Sequence, residues 1–230
     1  VSVNKDLSTR EVFNLGEITK DSLATDVYYD RVSRRYKYKS NNTFASRADV
    51  ITLQKKFLSK KEREFIRLSG DILSGKIGVY KDLAKTLKQI HLSNAIIERG
   101  GIDRLTNSDL GIIGNILKQQ YYSGRDEVTG QNYGLKYLLR DAPSLSEARL
   151  KQRLRLYVES AKVTAYALER ATAVAAGLRY AQRFLNPAEH CNSCIYYASL
   201  GKQLVETLPL PKTRCECRSN CKCTIQYYEN

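Results

Sequence analysis

Residues 191–223 read CNSCIYYASLGKQLVETLPLPKTRCECRSNCKC, and all six cysteines of the 230-residue chain fall inside this run. They are arranged as Cys191-x-x-Cys194, a spacer of twenty residues, then Cys215-x-Cys217-x-x-x-Cys221-x-Cys223. Two thiolates separated by two residues can turn onto one tetrahedral ion, because a tight turn brings both sulfurs within the ~2.3 Å bond length that zinc requires. Cys191 and Cys194 form the first such pair. The second is chosen from four, and Cys217 and Cys221, which flank the turn Arg218-Ser219-Asn220, are preferred. Cys215 and Cys223 then sit just outside, and His190 is a substitute ligand for one of the four. The leftover thiols pair with each other, ligate in place of a preferred residue, or remain as small buried hydrophobes. A two-zinc, six-thiolate cluster is less expected, since its ligands normally come as two matched halves. With four protein ligands the ion is structural, because no position is left for water or substrate.

Three disulfides are the competing reading, and six is the right parity. A chain of 230 residues can bury a core without covalent staples. Its opening, VSVNKDLSTREVFNLGE, lacks the apolar segment of a secretory signal. Thiols kept reduced in a cytoplasm favour metal over disulfide.

Working outward, the helical pattern stops at Asn186-Pro187, which is the expected boundary of a cysteine-rich module spanning 187–230. Upstream, Ser144 lies three residues before Glu147. From Leu150 the positions Leu154, Tyr157, Ala161, Thr164, Leu168, Ala171, Ala175 and Leu178 alternate steps of four and three. This heptad seam predicts one long helix from Ser144 to about Phe184, roughly 60 Å at 1.5 Å per residue. Such a helix is either the centre of a bundle or an intermolecular seam. Earlier still, Ser59 and Glu62 have capping-box spacing and predict a helix start, with Gly75 as its stop. A further helix is predicted from Val79 to Glu98, ended by Gly100-Gly101, and another is capped at Asn107 or Ser108 and ends near Gly124. The stretch from Gly130 to Leu139 is too short to classify.

Residues 1–43 carry Tyr28, Tyr29, Tyr36 and Tyr38 among basic groups without a sustained helical or strand period. They are expected to form an extended, irregular N-terminal arm, or equally an ordered loop packed on its own domain, beside a helical body spanning 44–186. The expected fold is therefore mainly α: an arm, a helical body with one long helix in its C-terminal half, and a zinc-knuckle-like module with a short strand at Thr224–Tyr227.

Lys and Arg number 38 against 24 Asp and Glu, a formal charge of +14, which favours an acidic or phosphate-bearing neighbour. The excess is distributed over Arg34, Arg35, Lys37 and Lys39, over Lys55, Lys56, Lys60 and Lys61, and over Arg149, Lys151, Arg153 and Arg155. No apolar run approaches the ~20 residues of a membrane span, so no membrane partner is expected. The chain has 16 Tyr but neither Met nor Trp, and it begins with Val, as after trimming of an initiator Met or in a piece of a longer chain. With only His91 and His190 in the chain and no spaced carboxylate pair, phosphate loop or nucleophile elbow, an enzyme is not expected. His91 reads as a surface or partly buried helix residue.

The cysteine run resembles the C-terminal module of phage head morphogenesis proteins of the Mu F-like type, the minor head or minor capsid proteins. The shared features are the CxxC pair, the small segment Ala198 to Gly201, the Leu-Pro-x-Pro stretch at Leu208 to Pro211, and the ending Asn220-Cys221-Lys222-Cys223 before a short strand. The resemblance covers about forty residues, with an Arg- and Ala-rich helical region before them. Arg218 stands where many members carry histidine, Cys215 and Cys217 are additional, and Cys217 resembles a variant arrangement. The resemblance implies a virion protein made in the bacterial cytoplasm, in several copies, at the head or portal vertex. Its implied partners are portal and major capsid proteins, with packaged DNA touched through non-specific phosphate contacts. A zinc-knuckle nucleic-acid-binding protein is the alternative, although no helix follows the knuckle to enter a groove.

Overall fold

The computed structural model describes residues 23–122 and 134–229, and its architecture is mainly helical with small strands and a cysteine cluster near the C-terminus. The chain groups into two compact units, Val1–Val158 and Glu159–Asn230. The division thus precedes Asn186-Pro187: the helix and strand immediately before that dipeptide belong to the cysteine-bearing unit.

In the first unit, strands β1 (Val27–Asp30), β2 (Arg35–Tyr38) and β3 (Phe44–Ala45) form an antiparallel meander, with Tyr29 opposite Tyr36 and Tyr36 opposite Ala45. The expected irregular arm is corrected from residue 23 onward, and residues 1–22 lie outside the described residues. Strands of four and two residues are too short to show a period, so the signal lies in the turn. Asp30 accepts from the Val32 amide at 3.0 Å and from the Ser33 hydroxyl at 2.8 Å, pairs with Lys37 at 2.6 Å, and lets Arg34 take a φ of 53°. Val27 and Tyr36 then point inward to pack with Ala24 and Val50.

Helix α1 (Arg47–Leu73) is continuous, so the helix start expected at Ser59 is corrected. The operative capping box is Ser46 with Asp49, whose side chain and amide exchange bonds with Ser46. No proline or turn residue interrupts the span around Ser59, so its hydroxyl sits in mid-helix. Helix α2 (Val79–Arg99) follows after a five-residue link, the length that sets two helices antiparallel. Val50, Phe65, Leu68 and Ile72 of α1 and Leu83, Leu87, Ile90 and Ile96 of α2 supply the buried apolar stripes. Gly100, at φ 72°, ends α2 with the paired bonds Gly101 N–H to Ile96 and Gly100 N–H to Ile97, as its position predicts.

Helix α3 (Asn107–Tyr122) starts one residue earlier than expected, because Thr106 and Asp109 form the capping box. Its expected end near Gly124 lies outside the described residues. Helix α4 (Leu135–Asp141) occupies the part of the unclassified stretch that is described.

The single long helix expected from Ser144 to Phe184 is also corrected. Helix α5 (Glu147–Ser160) gives way at Ala161-Lys162 to three-residue turns, Lys162 to Glu159 and Thr164 to Ala161, before α6 (Val163–Ala175). The seam residues Leu150, Leu154, Ala161, Thr164 and Leu168 are fully buried, so the period reports burial correctly. It loses force beyond Leu168, where alanines bury little area and Ala175 is exposed. Gly177, at φ 84°, then closes α6, with the Leu178 amide bonded to Ala173 and the Gly177 amide to Val174. The next residues form strand β4 (Tyr180–Phe184), which pairs antiparallel with β5 (Gln203–Leu204) and β6 (Thr224–Tyr228) in the order β5-β4-β6.

Two polar groups in the first unit give measurable consequences. Tyr36 donates to Asp103 at 2.7 Å and accepts from the Ile102 amide at 2.7 Å, while Arg47 holds the same carboxylate at 2.7 and 3.1 Å. A methyl group on Gly101 would meet Asp103 Oδ1 at 2.6 Å, the Tyr36 hydroxyl at 2.7 Å and an Arg47 nitrogen at 2.8 Å, on a φ of 147°. Gly101→Ala is therefore expected to cost about 2–3 kcal/mol in urea unfolding, and Tyr36→Phe about 1 kcal/mol.

His91 is fully buried, not at the surface, and its Nε2 lies 2.7 Å from Gln120 Oε1, while Gln120 donates to the Tyr157 carbonyl at 2.8 Å. Burial lowers the imidazole from 6.5 to about 4 against the raising effect of Gln120. The unfolded chain then binds the proton more readily than the fold. Stability is complete above pH 6.5 and falls as the pH drops towards 4, by up to about 3 kcal/mol. An NMR titration of the His91 ring should show a midpoint near 4; a midpoint at the ordinary value would refute burial as the controlling effect.

Candidate metal centre

Helix α7 (Asn192–Ser199) begins at Cys191, which is its N-cap, and the Cys194 amide bonds back to the Cys191 carbonyl at 3.0 Å. The first helical turn therefore places both sulfurs of the CxxC pair at an N-terminus, where amides point outward and favour negative charge. The second cysteine group is folded by a short turn. Arg218 N–H bonds to Cys215, Asn220 N–H to Cys217 and Cys221 N–H to Arg218, with Arg218 at a φ of 43°. That tight reversal returns Cys217 and Cys221 towards Cys215.

Cys194, Cys215, Cys217 and Cys221 are brought together, each sulfur within 4.8 Å of the others. Their closest approaches are Cys194 to Cys217 at 3.5 Å, Cys217 to Cys215 at 3.5 Å and Cys194 to Cys221 at 3.7 Å. A tetrahedron of 2.3 Å bonds has edges of about 3.8 Å, whereas a disulfide bond is about 2.05 Å. All six cysteines are free thiols. The sulfurs are thus spaced as ligands around a shared cation, and the donor set fits a metal of the zinc class.

Of the four ligands preferred from sequence, Cys194, Cys217 and Cys221 lie in this group. Cys191 packs beside it and interacts with Cys194 and Cys217. Cys215, expected just outside, is inside. Cys223 belongs to a second grouping with His190 and Cys194. The signal for Cys215 is its i, i+2 relation to Cys217, which becomes decisive only once the Arg218–Asn220 turn is known.

Electrostatics give the group its character. Cys221 is drawn down to about 3, chiefly by the Cys215 thiol and also by the Lys212 and Cys223 amides, while the same sulfur pair pushes Cys215 up. Burial raises Cys194 and Cys217 to about 12. Burial opposes ionisation of Cys191 as well, but the amides of Cys217 and Cys194 outweigh it and the net direction is down. Crowded sulfurs cannot all ionise against one another, and a divalent cation removes that obstacle by drawing each ligand to its thiolate.

Arg183 is a group that sequence reasoning missed. It is 1% exposed, donates to the Pro209 carbonyl, and lies 4.9 Å over the Tyr197 ring. Its Nε and one terminal nitrogen have no hydrogen-bond partner among the described residues. A buried guanidinium without a carboxylate needs another source of negative charge. The Cys223 sulfur feels the guanidinium charge, which lowers it, although burial raises it overall.

No protein-family model matches the chain, and no curated protein or solved structure is significantly similar to it.

Purified under reductant with cobalt(II) in place of zinc, the chain should show thiolate-to-cobalt charge-transfer absorption. Cys194→Ser should abolish it, since Cys194 touches every other part of the cluster. An unchanged spectrum in that variant would exclude this site.

Proposed function

We propose that the chain is a bacteriophage head protein of the minor-head type, a structural component that makes protein contacts at the capsid or portal vertex rather than an enzyme. The observation that carries this reading is apolar surface on the metal-type module. Ile195, Tyr196, Leu200 and Leu204 are 50%, 59%, 37% and 55% exposed, within ten residues of sequence on α7 and β5. The interior of the module is already filled by the cysteines and by Ala181, Val205, Leu208 and Ile225. Large apolar side chains turned outward on so small a unit suit a protein partner. A metal ligated wholly by protein has no position for substrate, which favours a structural role.

On this reading the partners are portal and major capsid proteins, several copies are present in the virion, and zinc is the structural ion. Positive charge would add non-specific contacts to packaged DNA. The alternative, a zinc-knuckle nucleic-acid-binding protein, is favoured by a cleft of about 610 Å³ in the first unit whose lining includes Lys39, Lys56, Lys60, Lys61 and Lys85. Asp26, Glu64 and Asp82 line the same cleft, which weakens its attraction for phosphate.

The double variant Ile195→Glu/Tyr196→Glu should retain wild-type metal content and circular dichroism yet be lost from purified particles in a phage complementation assay. Incorporation at the wild-type level would overturn the contact reading. Tight duplex binding by the free chain, with a steep salt dependence, would favour the alternative.

A further inference from the structure

Four sulfurs satisfy one tetrahedral ion, yet six cysteines and a histidine gather here. The donors beyond the first group are ordered in a particular way. His190 Nε2 lies 2.6 Å from the Asn186 carbonyl, which makes that nitrogen the protonated one and leaves Nδ1 with its lone pair. Nδ1 stands 3.8 Å from the Cys223 sulfur, near the ~3.6 Å edge expected between an imidazole at 2.0 Å and a thiolate at 2.3 Å from one ion. His190, Cys194 and Cys223 all place their ligand atoms within 4.8 Å of one another. Asn186 is itself fixed, because its side chain donates to the Lys222 carbonyl at 2.6 Å. An imidazole oriented through its remote nitrogen by a backbone carbonyl, with its other nitrogen facing a buried thiol, has the arrangement of a metal ligand with its supporting partner.

We infer that the module holds two divalent ions of the zinc class, the second ligated by His190, Cys223 and the shared sulfur of Cys194. This rests on the metal reading of the first group. Cys194 belongs to both groups, and Cys221, 3.7 Å from Cys194, belongs to the first. The two sites therefore share the Cys194 sulfur, with Cys215, Cys217 and Cys221 completing one and His190 and Cys223 belonging to the other. Matched halves of sequence are unnecessary, because the bridge is made by one cysteine of the CxxC turn that serves both sites. Cys191, beside Cys194 and Cys217, remains a thiol outside both sets.

Charge supports the count. Four thiolates on one divalent ion carry two net negative charges, whereas two divalent ions on Cys194, Cys215, Cys217, Cys221 and Cys223 carry one. The buried Arg183 guanidinium, with two nitrogens unpaired among the described residues, supplies one positive charge on the Cys223 side of the cluster.

Native mass spectrometry of the full chain, under reductant with excess zinc, should find two ions in the wild type and one in His190→Gln and in Cys223→Ser. Cys194→Ser should hold none. One ion in the wild type, or two retained in His190→Gln, would overturn the second site while leaving the first intact; no ion in the wild type would remove the metal reading itself. Cobalt(II) titration gives an independent check on the wild type. The electron paramagnetic resonance signal should rise to one equivalent and fall towards two as ions coupled through the shared sulfur form. A linear rise through two equivalents would refute the bridge.

Discussion

The antiparallel pairing of Tyr180–Phe184 with Thr224–Tyr228 is the constraint on which the cysteine module depends. It joins segments about forty residues apart and sets Arg183 opposite Ile225 and Phe184 opposite Thr224. Everything between them, including both cysteine groups, becomes a closed loop whose two ends meet. His190 then lies a few residues past one strand and Cys223 directly before the other, which is why they approach each other. The same register turns Arg183 and Ala181 to the buried face, so the guanidinium is taken out of water by the strand it belongs to.

This closure changes the argument about why cysteines are needed. A body of 230 residues requires no staple, but the cysteines serve the unit from Glu159 onward, whose apolar centre consists of Ala181, Val205, Leu208 and Ile225 with partial help from Tyr197, Leu210 and Tyr227. Units below roughly 80 residues rarely gain enough from burial alone and commonly add disulfides or a metal. Metal binding there would be folding free energy, since the ligand set does not exist in the unfolded chain. The first unit has the paired stripes of α1 and α2 and needs no such help.

Legibility followed the range of the interaction. Helix α2 could be read almost to the residue because a 3.6 period and the Gly100-Gly101 stop are both local. Burial along Leu150, Leu154, Ala161, Thr164 and Leu168 was legible too, but not the break at Ala161-Lys162 or the strand that follows Gly177. A heptad of alanines marks spacing without supplying the buried area that holds a helix together. Strand β4 exists because β6 pairs with it, and no local pattern announces that pairing. The Ser59–Glu62 spacing misled for the converse reason: a capping box caps only where the chain also leaves helical geometry, and Ser46 meets that condition.

At the site, the CxxC turn was legible because its geometry is confined to one helical turn, whereas choosing among Cys215, Cys217, Cys221 and Cys223 required two features with no sequence signature. One is the left-handed residue Arg218, a conformation that asparagine or glycine would have advertised and arginine does not. The other is the strand pairing that draws Cys223 towards His190. The remaining chemistry follows from excluding water. Sulfurs held this close repel one another when ionised, so Cys215 and Cys221 are displaced in opposite directions by their mutual hydrogen bond. A cation held by the four sulfurs of the first group would convert that repulsion into ligation. The packing of the module and the electrostatics of its centre would therefore be satisfied by the same event.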